Sequence, residues 1–95
     1  MSYVDTIEPG KDTKYTILGK RQIISTKDNM SKQLTYLSIN NGQPKFDLRV
    51  WKEQDGKIQV CKGITFTLQE LQTLKDILNQ KENLIDLFAD ADIEK

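Results

Sequence analysis

The sequence predicts an α+β fold, a four-stranded antiparallel meander followed by one C-terminal helix. Three observations lead there. Runs rich in β-branched and aromatic residues are separated by Asn41-Gly42 and Asp55-Gly56, dipeptides suited to tight hairpins. Thr67 stands three residues before Glu70, the spacing of a capping box at a helix start. Beyond it Leu68, Leu71, Leu74, Ile77 and Leu78 recur at helical spacing.

Taken in order, residues 1–13 mix charges with Pro9 and Gly10 without periodicity and read as a flexible N-terminal arm. Residues 15–25, YTILGKRQIIS, read as the first strand, bulged at Gly19. A polar loop, STKDNMSK, leads to the second strand, 33–39. The Asn40-Asn41-Gly42-Gln43-Pro44 segment then turns the chain into the third, 45–53, with Asn41-Gly42 expected to supply the positive φ angles. Asp55-Gly56 leads into the fourth, 57–63. Thr67 is the expected N-cap, with Phe66 and Leu71 placed for a hydrophobic staple, and the apolar stripe carries the helix to about residue 80. The folded domain is thus expected over 14–81, followed by an acidic tail, 82–95, that forms either a second short helix or a disordered end.

With 95 residues and 37% hydrophobic content the chain forms one domain at most, and such a small domain buries a low share of its surface. Self-association is a natural expectation. The chain has one cysteine, Cys61, and no histidine, which excludes an intrachain disulfide, a Cys/His zinc site and a histidine-based triad. Cys61 reads as a small half-buried hydrophobe. The first residues have neither a basic nor an apolar signal region, and no apolar stretch approaches the length that crosses a bilayer, so a cytoplasmic protein that avoids membranes is expected.

The net charge of zero conceals a segregation. Between Lys14 and Phe66 ten basic residues face four acidic ones, whereas from Thr67 onward three lysines face seven acids. A basic middle between acidic ends can present a field that attracts polyanions. Within it, the strand KFDLRVW alternates: Phe46, Leu48 and Val50 go to one side, where a helix can cover them, and Lys45, Asp47, Arg49 and Trp51 go to the other. An indole between cations suits a single-stranded nucleic acid, with a base stacked on Trp51 and phosphates met by Arg49 and Lys45. The same pattern also fits a half-exposed tryptophan shielded by lysine stems.

The run PKFDLRVW, followed after an Asp-Gly turn by KGITFTLQELQTLKDIL, resembles the signature of the transcriptional positive cofactor four family, including its small bacterial branch. The likeness covers about residues 33–80. It implies a curved sheet with one C-terminal helix, a homodimer formed through helices and sheet edges, and single-stranded DNA held on concave β-surfaces. Arg49, Trp51, Lys62 and Gly63 match the motif most directly, with Lys45 and Asp47 close behind. The chain departs from it at Asn40 and Asn41, where many members carry an aromatic or basic residue, so a stacking contact is either missing or supplied by Tyr36. The implied function is a weakly sequence-selective single-stranded DNA-binding protein, bacterial or bacteriophage, acting in replication, recombination or repair. The alternative is a transcriptional cofactor at melted promoter DNA and RNA polymerase; a pure protein-interaction module is a third.

The remaining candidates carry open alternatives. Tyr36 joins the binding face only in one hairpin register. Lys20 and Arg21 are neighbours on opposite faces, so only one of them joins a given groove. Lys62-Gly63 either approaches a phosphate through its backbone or serves the bend into the capped segment. Leu71, Leu74 and Leu78 are the expected dimer contacts. The tail, with Asp86, Asp90, Asp92 and Glu94 among Leu84, Ile85, Leu87 and Phe88, is expected to compete with the nucleic acid, to dock a replication or transcription partner, or to complete the dimer. Asp47, Glu53 and Asp55 lack the convergent spacing of a metal-dependent nuclease, and each of Gly42, Gly56 and Gly63 has a turn role, so no catalysis, metal or cofactor is expected. Single-stranded DNA is the expected ligand, with RNA as the alternative nucleic acid.

Overall fold

The computed structural model describes residues 4–9 and 12–88. Its sheet has five antiparallel strands in sequential order: β1 (Val4–Ile7), β2 (Tyr15–Lys27), β3 (Met30–Ile39), β4 (Lys45–Gln54) and β5 (Lys57–Phe66). The sheet curls into a half-barrel and is followed by α1 (Leu68–Leu78). The fifth strand corrects the reading of residues 1–13 as an arm. Val4–Ile7 pairs with Leu18–Tyr15 of β2, and Ile7 is buried in the core. The charges and the following Pro9 mask a strand only four residues long, which β2 holds from one side.

Turn chemistry sets the register. β2 and β3 run to Lys27 and Met30, which pair directly, so the expected polar loop shrinks to Asp28-Asn29 with Asp28 at φ 55°. Asp55-Gly56 holds φ 54° and 74° between the paired Gln54 and Lys57, the two-residue hairpin that the sequence predicts. In the β3–β4 connection the left-handed conformation falls on Asn40 and Asn41, at φ 51° and 62°, and not on Gly42. Asparagine tolerates that region. Here Asn40 also has a tie to keep: its N–H donates to the Lys14 carbonyl at 2.8 Å, and its Oδ1 accepts from the Lys14 N–H at 2.7 Å.

Bulges decide which side chains face inward. Between Leu18 and Gln22 the β2–β3 register shifts, with Gly19 at φ 74°, in agreement with the expected bulge. The same ladder shifts again between Ile23 and Ser25, and in β4–β5 a further shift lies where Arg49 pairs Gly63 but Trp51 pairs Val60, so Cys61 and Lys62 together oppose Val50. That extra residue inverts the alternation of β5. Ile64 and Phe66 therefore share a face with Leu48 and Phe46, whereas Val60 and Ile58 turn to the face of Trp51.

The core lies inside the curl. Ile7, Ile17, Leu37 and Trp51 are buried together, with Tyr15, Ile39, Ile58 and Val60 packed around them. Burying each large aliphatic side chain contributes about 1.5–3 kcal/mol. α1 leans on β4 and β5 from the opposite, outer face. Its start matches the expected capping box: Thr67 Oγ1 accepts from the Glu70 N–H at 3.1 Å and Glu70 Oε1 from the Thr67 N–H at 2.9 Å. Leu84–Phe88 forms a short 3-10 turn against α1. The rest of the acidic tail, with Asp90, Asp92 and Glu94, lies outside the described residues.

Candidate nucleic-acid interface

Alternation along β4 puts Lys45, Asp47, Arg49 and Trp51 on one face, and the ladder adds Leu37, Thr35, Gln33 and Ser31 from β3. This is the concave face of the curled sheet. It is covered where the sequence reading left it open. Trp51 is 4% exposed and Asp47 is fully enclosed at 0%. Curling brings the start of β2 over β4, so the Tyr15 ring meets Trp51 edge-on at 5.6 Å between centroids. Trp51 as an open stacking platform is therefore corrected for this conformation: its indole is part of the core.

Arg49 is likewise engaged within the fold. Its Nε and Nη2 donate to the two oxygens of Asp47 at 2.6 and 2.7 Å, a bidentate pair. Nη1 reaches the Tyr15 hydroxyl and the Cys61 carbonyl, each at 3.5 Å, and the guanidinium lies 5.3 Å from the Tyr15 ring centre. The hydrogen bonds that Arg49 donates to Asp47 raise its pKa despite the opposing effect of burial. Gly63 belongs to the same unit. A Cβ there would fall 2.2 Å from Arg49 Cβ and 2.6 Å from the Leu48 carbonyl oxygen. Its φ is not positive, so close approach to Arg49, rather than a bend, accounts for the glycine.

Beside this unit lies a groove of about 310 Å³ whose lining includes Arg21, Ser31, Gln33, Trp51, Lys52 and Glu53. Gln33 Nε2 donates to Ser31 Oγ at 3.1 Å. Gln33 Oε1, Thr35 Oγ1 and Trp51 Nε1 are buried without a hydrogen-bond partner, an unusual concentration on one sheet face. Of the other predicted contacts, Lys20, Lys45 and Lys62 are exposed and Arg21 is half-buried in the β2 bulge. Tyr36 pairs with Phe46 in the ladder, so the register places it on the outer face, away from Trp51, with its ring 4.8 Å from that of Phe46. It does not replace a stacking residue on the concave side. The roles of Tyr15 and Gln33 escape sequence reading because they depend on curvature and on neighbours distant in the chain.

The outer face carries the expected dimer contacts. A cavity of about 420 Å³ between α1 and β3 is lined by Leu34, Leu71, Leu74 and Leu78. No residue of α1 is fully buried, and Leu68 and Ile64 are 59% and 56% exposed. Cys61 is a half-buried free thiol. Among the described residues no three His, Cys, Asp or Glu side chains gather to hold a metal, and no helix is long and apolar enough to cross a membrane.

No family model and no solved structure matches the chain. An uncharacterized protein of Treponema pallidum (strain Nichols) is 33% identical over 69 residues, covering 72% of this chain and 79% of the relative. That identity over most of both lengths places the chain in one family with the treponemal protein.

Proposed function

We propose that this protein binds single-stranded DNA with little sequence selectivity, as a homodimer, in replication, recombination or repair. The observation that carries the reading is the basic surface of the sheet: Lys20, Lys45 and Lys62 are exposed on it, and Lys52 lines a groove whose wall includes the enclosed Trp51. Clustered cations along such a surface meet the phosphates of a single strand. The likeness of PKFDLRVW and KGITFTLQELQTLKDIL to the positive cofactor four family supports the same ligand. The Asp47–Arg49 pair holds the groove's shape in this reading, and the phosphates fall to the exposed lysines.

The dimer is the second part of the proposal. Leu68, Ile77 and Leu78 of α1 and Ile64 of β5 are exposed to water, and Leu71, Leu74 and Leu78 line an apolar groove against Leu34, which a second copy placed symmetrically would cover. Fluorescence anisotropy with labelled oligo-dT, duplex DNA and oligo-U of equal length tests the ligand. We expect oligo-dT to bind more tightly than duplex; equal affinity for both, or none for either, would overturn the assignment.

A further inference from the structure

We propose that β1 is a displaceable cover at the edge of the concave face, helping to enclose Trp51 in the free protein and lifting away when a single strand enters. This rests on the single-strand reading above and adds its regulation. Ile7 is buried in one cluster with Trp51, Ile17 and Leu37, and it pairs in register with Tyr15, whose ring touches Trp51. The residue best suited to stack on a base is thus enclosed with the help of a segment from the chain's own beginning.

That segment is weakly held. β1 is a four-residue edge strand bonded to β2 on one side. Across the curl it faces the β4–β5 turn without joining it: Thr6, Ile7, Glu8 and Pro9 share a cavity of about 540 Å³ with Gly56, Lys57 and Ile58. The barrel is therefore not closed by hydrogen bonds at this seam, and β1 can lift without breaking a ladder to β5. Short edge elements of this kind open at a fraction of the global unfolding free energy.

The face that Ile7 helps to close is polar for a permanent core. Gln33, Thr35 and Asp47 are buried on it, and Trp51 Nε1, in the cluster with Ile7, has no hydrogen-bond partner. An unmet buried donor disfavours the closed state, and opening lets it meet water or a ligand. Charge points the same way: Glu8, exposed directly after β1, has the sign of the phosphates that the cover excludes.

Hydrogen exchange on the unaltered full chain, with and without saturating oligo-dT, tests the cover directly. We expect the amides of 4–7 to lose protection on binding while those of 45–51 gain it; retained or increased protection at 4–7 overturns the proposal. In a second arm, Ile7→Ser should shift the emission of the single tryptophan to the red before any DNA is added and tighten oligo-dT binding about tenfold, because a larger fraction of molecules is open. Weaker binding by a variant with native far-UV circular dichroism contradicts it. Should Ile7→Ser not fold, the exchange result decides. Should the parent protein not bind oligo-dT, the single-strand reading fails, and acrylamide quenching of Trp51 in Ile7→Ser, unchanged from the parent, would dispose of the cover as well.

Discussion

At the residue scale, the motif residues with the clearest nucleic-acid appearance have structural roles first. Asp47, Arg49 and Gly63 form one interlocked unit: a buried carboxylate, the guanidinium that pairs with it, and the gap in β5 that lets the guanidinium's stem pass. Arg49→Ala leaves the Asp47 charge enclosed and unpaired, so we expect destabilisation of about 3–5 kcal/mol in urea unfolding, apart from any effect on binding. Gly63→Ala forces β5 away from β4 and should destabilise by about 1–3 kcal/mol with no change of charge. Trp51→Ala removes a core side chain and should lower stability by about 3–5 kcal/mol, which makes it unsuitable as a simple binding mutant.

At the element scale, the strongest local signals were legible in the sequence. Asp55-Gly56 turns the chain where expected, and Thr67 with Glu70 starts the helix with both capping bonds in place. Thr67→Ala should therefore reduce stability by about 1 kcal/mol in the same unfolding assay. Elsewhere local chemistry was insufficient. Asn40 takes the left-handed conformation because it also binds Lys14, twenty-six residues away, and no dipeptide preference contains that tie. β1 is legible only as four residues that β2 happens to accept. Alternation along β4 correctly sorts Phe46, Leu48 and Val50 from Arg49 and Trp51, but alternation says nothing about what covers each face. The curl decides that, and the curl follows from bulges in β2 and β5 whose effect is visible only in three dimensions.

At the scale of the whole molecule, the proposed function gives the two faces of the sheet different partners. The outer face and α1 expose Ile64, Leu68, Ile77 and Leu78, and for the dimer proposed there the parent is expected to sediment as a dimer at micromolar concentration and Leu74→Asp to yield monomers or unfolded chains in sedimentation velocity. The concave face is where the proposed function seats the polyanion. Affinity for oligo-dT should fall with salt, with a log–log slope of about −0.7 for each phosphate neutralised, and substituting Lys45 or Lys62 by Ala should reduce the slope by about that amount. The measurement that bears most directly on the central claim is a titration of the single tryptophan's emission with oligo-dT at low salt, repeated with duplex DNA. Because Trp51 lines the concave groove, oligo-dT should change its emission saturably, in step with binding followed by anisotropy, and duplex should not. Oligo-dT binding that leaves Trp51 emission unchanged would place the nucleic acid on another surface and contradict the assignment.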